Sequence, residues 1–549
     1  MLTQIVLIAI MAVLGISEYV LANKYGKKTP RNIDFAETVI ACLGFVILML
    51  LYAGCTGILT SGFHLVDDHE TLGIEYNINA YDFWNALGIR LKEDLTGRFR
   101  PTYCLIRVIQ TYVFRDNFFA WHVMYALISA ATLTLAYIYA RVRGSYIWMA
   151  YAGAMAVFFG GGQSAVLWRL GPQEGMGILL LVAVIIGMIR YKKHRTLLGT
   201  VLLSVATVLL GGAKESFLVI LPFLPVLLIL WDLDAQENVG ISDIRDSIKR
   251  NLSFICVSYL TFVADMIYIL VNVNTKHIDE EYLGEAANIF GIYEYVRGVG
   301  ASMLKSFLPY FVFLIIGNII VLVRLYKHRK DENNGFIIRH LIAIVLIDIL
   351  MATQIVLYVK IHMTERYIIP SSGYVAALWF IEIYRLSCED KDISKRQKSI
   401  YFSLTALFAV ILFAVRYNTV SIDYIYPGTT DQEMALDYAR DGRDTEAILN
   451  KAGELADKDA DIIIDLGVEN DGAVATYLDK YYSLRNVYGV HWYNDPDEMP
   501  IPVDSADIYI GKSDRLISFM EEQNIDTGKY EQYEYGQYAA FKIIKIDKK

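Results

Sequence analysis

ETVIACLGFVILMLLYAGCTGILTSGFHLVDDHE, residues 37–70, runs from an apolar stretch straight into His64, Asp67, Asp68, His69 and Glu70. The apolar part has the length and composition of a bilayer span, which takes about 20 residues. The polar part stands just beyond its end. A span with an acidic cluster at its mouth makes two statements at once, one about the solvent of the fold and one about chemistry at its surface.

Composition supports the first. The chain has 549 residues, 55% of them hydrophobic and only 20% charged, and its mean hydropathy is +0.37. A soluble domain is less apolar than this, so the class is an integral membrane protein. About 12 stretches meet the length and apolarity of a span. They lie near 2–22, 37–58, 118–140, 145–167, 174–190, 197–212, 216–231, 252–273, 304–325, 338–359, 367–385 and 400–416. The first has no basic segment before it and no small-residue cleavage site, so it reads as a retained span. The 39 tyrosines lie in part near the ends of these runs, where interfacial aromatics are favoured.

Sidedness follows from Lys and Arg in the short connections. KYGKKTPR (24–31), RVRG (141–144), RYKKHR (190–195), IRDSIKR (244–250), YKHRK (326–330) and SKRQK (394–398) are basic, and they are alternate connections. All six then fall on one side, which the charge bias makes cytoplasmic. The other side collects the polar clusters. These are the loop 59–117, WRLGPQEG (168–175), GAKES (212–216), the loop 274–303, MTERYIIP (363–370) and everything after 416. Within the long loop, Phe83, Trp84, Leu87 and Leu91 recur at helical spacing and predict an amphipathic helix over 78–95 on the membrane surface.

The net charge of −9 divides unevenly. Residues 417–549 carry about 27 Asp and Glu against about 13 Lys and Arg, so about −14 lies there and about +5 in the remainder. ADIIIDLG (460–467), SADIYIG (505–511) and AAFKIIKI (539–546) read as strands, and 471–483 and 512–523 as helices. The expected fold is mainly α: a polytopic helical membrane region over 1–416, then a small extracytoplasmic α/β domain over 417–549. The five cysteines have no metal-site spacing, and no basic footprint for nucleic acid is present.

The clusters suggest acid–base and phosphate chemistry. Asp67 and Asp68 could supply a general base, or, with His69, Glu70 and Glu174, ligands for a divalent cation such as Mg or Mn. Alternatively they begin a solvated loop. GRFRPTY (97–103) offers Arg98, Arg100 and Tyr103, and the planar fork of arginine suits phosphate. WRLGPQE offers Arg169 and Glu174, and GAKES places Lys214 beside Glu215, with which it could simply pair. Arg366 stands just before an apolar run, where a charge needs a partner or a task.

Taken in order, the DD pair in the first large loop, RFRP, the aromatic and His span start FFAWHVMYAL (118–127), GAKES, ERYIIP and an α/β tail resemble the GT-C superfamily of polytopic glycosyltransferases. The resemblance covers about residues 37–386. It implies a multi-pass enzyme of the bacterial plasma membrane that moves a sugar from a polyprenyl-phosphate donor to a glycan, lipid or protein acceptor. It also implies that Asp67 or Asp68 is the base, with a slight preference for Asp68 because His69 and Glu70 adjoin it. Arg366, with Arg98, Arg100 or Lys214, would hold the donor phosphate. The DDHE form and the extra first span depart from the common pattern. The competing reading is a lipid-linked oligosaccharide transporter or polymerase, which should concentrate charge inside its spans; here Asp265 and Asp348 are the exceptions to clean spans.

Overall fold

The computed structural model describes residues 35–65, 68–143, 173–234, 238–272, 317–327, 334–350, 431–466, 468–493 and 498–543, with a few positions between them that include Ser145, Ala150, Tyr151, Arg169, Leu170, Gly171 and Glu382. The expected spans at 2–22 and 400–416, that at 367–385 apart from Glu382, and Asp67 and Arg366 lie outside the described residues.

Among the described residues, five helices are long and apolar enough to cross a membrane. They are α1 (Phe35–Thr56), α5 (Phe118–Val142), α6 (Glu174–Lys193), the segment Glu215–Leu233 and α10 (Leu252–Asn272). In α1 the two faces differ in packing rather than polarity. Phe45, Leu48, Met49 and Tyr52 are buried against α5, while Ile40, Leu43, Ile47 and Leu51 are exposed. An apolar outer face is what lipid contact requires, because lipid offers no penalty for exposed hydrocarbon. Of the 12 expected spans, the described residues show these five as long apolar helices, and two shorter apolar ones accompany them: α7 (Leu197–Gly211) and a stretch within α11 (Asn334–Ile344).

The run 216–231 is not one continuous α-helix. A single turn, Glu215–Leu218, is followed by i→i+3 bonds such as Leu221 N to Leu218 O, and then by α8 (Phe223–Leu233). Pro222 has no N–H to give an α-helical bond, so the chain tightens there before the helix resumes. The amphipathic stretch at 78–95 is also divided. Between α2 (Asp68–Ala80) and α3 (Phe83–Gly97), Asp82 caps the second helix, its side chain accepting from Asn85 N at 2.9 Å. α4 (Pro101–Phe114) follows, with proline at its first position.

The two ends of the bundle differ. At one, Arg141 pairs with Glu37 at 2.5 Å, Arg143 with Glu382 at 2.5 Å, and Asp232 meets Arg195 at 3.2 Å and Arg250 at 3.5 Å. The amphipathic α9 (Ile241–Arg250) lies at this basic end. The opposite end carries residues 58–65, the three helices α2 to α4, and the C-terminal domain.

That domain is a five-stranded sheet with helices on its faces. The strands are β1 (Ile462–Asp465), β2 (Val487–Gly489), β3 (Ile508–Lys512), β4 (Tyr530–Tyr535) and β5 (Tyr538–Ile543), in the order β2-β1-β3-β5-β4. β2, β1 and β3 are parallel, and β5 runs antiparallel to β3 and β4. Helix α12 (Asp431–Leu455) and α13 (Val468–Tyr482) cover the face of Ile462 and Ile464, and α14 (Ser513–Glu522) covers that of Ile463. β1 is buried on both faces, which explains its unbroken apolar run.

The domain is not a tethered appendage. Phe63, Leu72, Phe118 and Trp121 share one buried cluster with Ile448, Ile462, Tyr477 and Leu478. Around it, Lys480 pairs with Glu75 at 2.5 Å and Asp116 at 3.0 Å, and Tyr481 donates to Asp116 at 2.8 Å. Gly442 of α12 packs directly on the His64 ring.

Candidate active site

Four segments meet at the domain end of the bundle: 61–75, 94–107, 169–174 and 212–215. Backbone bonds fix their spacing, with Thr102 N donating to Gly212 O at 2.9 Å and Phe99 N to the Glu215 carboxylate at 2.8 Å.

Asp68 opens α2, where a carboxylate favours the positive helix end. It is 0% exposed and accepts from His64 N at 3.0 Å. Its neighbour His69 turns back onto Leu65 O at 3.2 Å. Glu70 faces three donors: Arg90, Arg107 Nε at 3.3 Å and the Tyr103 hydroxyl at 2.6 Å. Burial, and then Glu70, hold the Tyr103 phenol well above its ordinary pKa, so it remains a donor.

Arg107 anchors this group. It is fully buried, donates to Leu170 O at 2.8 Å and Thr71 Oγ1 at 3.0 Å, and lies 4.6 Å from the Trp121 ring centroid. The Leu170 carbonyl also accepts from Tyr125 at 2.8 Å, which draws 169–171 onto the cluster. Arg169 is buried in the same segment. Sequence reasoning passed over Arg107 and Arg90. A lone arginine inside PTYCLIRVIQTYVF was the available signal, since a charge in so apolar a helix needs partners.

The remaining cations are placed as follows. Arg100 is buried against Asp94, with Nε at 3.0 Å from Oδ2 and Nη2 on the other oxygen. Arg98 is exposed at the end of α3. Lys214 does not pair with Glu215. It pairs with Glu174, at 5% and 0% exposure respectively, because the turn after α7 aims it across at the first residue of α6. Glu215 is taken by the Phe99 amide instead. Tyr103, Gln110, Tyr125, Gln173, Met176 and Ala213 line a cleft beside these groups.

A second cluster lies toward the C-terminal domain. Ser61 Oγ is 3.1 Å from His64 Nε2 and 3.1 Å from His122 Nε2, and Tyr438 of α12 stacks on His64 at 3.6 Å. Burial, then His122 and Arg169, hold His64 well below its ordinary 6.5, so the ring is neutral.

The expected divalent-cation set does not assemble. Among the described residues no three His, Cys, Asp or Glu side chains are arranged to hold a metal. Glu70 is surrounded by arginines, Glu174 by Lys214, and His69 faces a carbonyl, so Asp68, His69, Glu70 and Glu174 do not form one donor shell.

No family model and no curated protein matches the sequence. The chain is similar to a number of solved structures. They include ArnT from Cupriavidus metallidurans bound to undecaprenyl phosphate, 12% identical, covering 92% of this chain and 98% of that one, with a TM-score of 0.43. They also include the Archaeoglobus fulgidus oligosaccharyltransferase tethered with an acceptor peptide, 11% identical, covering 88% of this chain and 68% of that one, with a TM-score of 0.39. At these scores the likeness is one of outline, and the chemistry below is drawn from the residues.

Proposed function

We propose that the protein is a GT-C-type membrane glycosyltransferase that moves a sugar from a polyprenyl-phosphate donor to an acceptor arriving on the side of the C-terminal domain. The observation that carries the reading is the density of buried, mutually paired charge at one end of an apolar bundle. Asp68, Glu70, Arg100, Arg107, Glu174 and Lys214 are all buried or nearly so there. Taking charges out of water costs several kcal/mol per ion. A bundle gains no stability from such a network that apolar packing could not supply, so a task at this end is the economical explanation. The basic connections at the opposite end make that end cytoplasmic, and the site extracytoplasmic.

In this reading Asp67 is the general base and Asp68 positions it. A base must meet a hydroxyl delivered from outside. Asp68 is enclosed and held by His64 N, which suits an anchor rather than a group that meets the acceptor. The acceptor O–H proton passes to the Asp67 carboxylate as the acceptor oxygen bonds to the anomeric carbon. The bond from that carbon to the phosphate oxygen breaks, and its electron pair leaves with the lipid phosphate. Arg98 and Arg366 stabilise the departing charge, while Arg107 and Arg90 hold Glu70 and Tyr103 in place beside the cleft. The scheme is written without a metal, since among the described residues Asp68, His69, Glu70 and Glu174 do not share a donor shell. The test is sugar transfer by purified Asp67→Asn, with donor binding measured alongside. Turnover should fall about 10²–10⁴-fold while donor binding survives. Transfer at the wild-type rate would remove the assignment.

A further inference from the structure

The C-terminal domain holds a second polar site, at the carboxyl end of its parallel strands. β1 leads through α13 to β2 on one side, while β3 lies on the other, so the chain diverges between β1 and β3. Open sheets of parallel strands bind ligands in the crevice at such a point. Here β1 ends in Asp465, opposite Gly511 of β3. A side chain at 511 would meet the Asp465 carbonyl at 2.9 Å, so glycine lets the two strand ends approach.

Three groups converge on this position. Asp465 Oδ1 is 2.9 Å from His491 Nε2 and 3.0 Å from Arg515 Nε, and Arg515 Nη2 is 2.7 Å from His491 Nε2. His491 Nε2 is thus placed to donate to Asp465 or to accept from Arg515. Asp465 is buried and Arg515 half-exposed, so an acceptor forms the floor and a donor reaches the surface. Beside them Trp492 is 42% exposed, and it packs over Gly489 together with Asp471. Burial raises the Asp471 carboxyl to about 6, against the pull of its bond from Leu466 N and of His491, so it adds little fixed charge at lower pH.

The chemistry of the ledge selects among ligands. A phosphate would face the Asp465 carboxylate, and a metal cation would face the Arg515 guanidinium. A neutral polyol has both donors and acceptors to match them, and the C–H face of a sugar ring suits an exposed indole. We propose that this ledge binds carbohydrate, through Asp465, His491 and Arg515 on the hydroxyls and Trp492 on a ring face. It is separate from the buried cluster, since Asp471 stands about 14 Å along α13 from Lys480 at the docking seam. Only its role rests on the glycosyltransferase reading: a glycan held here would be the acceptor or a chain already extended.

The full-length protein in detergent is applied to an array of immobilised neutral oligosaccharides, alongside Trp492→Ala, Arg515→Ala and Asp68→Asn. The expected result is retention of at least one oligosaccharide class by wild type and Asp68→Asn, with binding at least about tenfold weaker in the other two at unchanged thermal unfolding. Asp68 lies in the buried cluster and not on the ledge, so retention by Asp68→Asn separates ledge binding from the transfer site. Absence of binding, binding that survives both ledge substitutions, or displacement by inorganic phosphate would overturn the proposal.

Discussion

The Lys214–Glu174 pair allows the sharpest test of whether buried charge here is structural or functional. Glu174→Gln removes the carboxylate and leaves an ammonium at 5% exposure facing an amide. Screening by water is slight at that burial, so the surface-pair value of below 1 kcal/mol does not apply. Breaking a buried pair from one side costs about 3–5 kcal/mol. Lys214→Met alone should cost a similar amount by removing the ammonium that the buried Glu174 carboxylate faces. Replacing both with neutral residues of similar volume should be far milder, because each desolvation penalty disappears with its charge. A double-mutant cycle should therefore show the double variant within about 1–2 kcal/mol of wild type, well short of the summed single effects. Reversible denaturant unfolding in a fixed detergent, followed by tryptophan fluorescence, reads this, with C-terminal-domain unfolding followed separately by hydrogen exchange. Additive losses in the double variant would refute the coupling. Donor binding by the double variant decides the rest. If Lys214 contacts the phosphate, a stable double variant still loses donor affinity; if binding is unchanged, the pair is architectural.

Gly442→Ala drives a methyl group into the His64 ring and the Ser61 carbonyl, so overpacking of about 1–3 kcal/mol should outweigh the ~1 kcal/mol helix gain, read as a lowered unfolding midpoint. The depressed His64 pKa implies that the unfolded chain takes up a proton below about 6.5 that the folded chain refuses. Its contribution is therefore full above that pH and declines as pH falls, and protection factors in α12, which divide out the intrinsic pH dependence of exchange, should fall below about pH 6.5 in wild type but not in His64→Phe. Lys480→Ala should loosen the domain by about 1 kcal/mol, because the pair is partly exposed, and α13 should lose exchange protection while α5 and α6 keep theirs. An impermeant thiol reagent applied outside cells should label a cysteine placed at Thr527 and spare one at Ser242; the reverse pattern would invert the topology.

The parts of the fold legible in sequence are those where solvent dictates composition. Spans such as α1 and α10 announce themselves because lipid forbids polar surface, and β1 because both its faces are covered. α12 escapes that logic. Its buried side is Met434, Ala435, Tyr438, Ala439, Ile448, Leu449 and Ala452, a stripe that mixes alanines with large side chains among many charges, with Gly442 in the middle. β2 and β4 are edge strands of three and six residues with little apolar content. At the candidate site, the segments singled out in the sequence meet in the structure, but their pairings were not legible. Lys214 and Glu215 adjoin in the chain, yet the turn sends one to Glu174 and the other to the Phe99 amide, and no local rule foretells a partner 40 residues away. Arg107 was hidden by its helix, which reads as filler between two motifs.

The shared core of Phe63, Phe118 and Tyr477 has a consequence for how the protein is made. Lys480 and Glu75 are separated by 405 positions, so the earlier partner leaves the ribosome long before the later one exists. Contacts that distant form slowly, and apolar surface waiting for them is open to wrong partners. During that interval Phe63, Leu72 and Trp121 face water or a chaperone, and the turn bearing Asp68 lacks its lid. Synthesis of α13 closes it. A late stretch of polypeptide thus completes an early one, and a chain stopped before α13 leaves Asp68 and Glu70 on an unfinished floor.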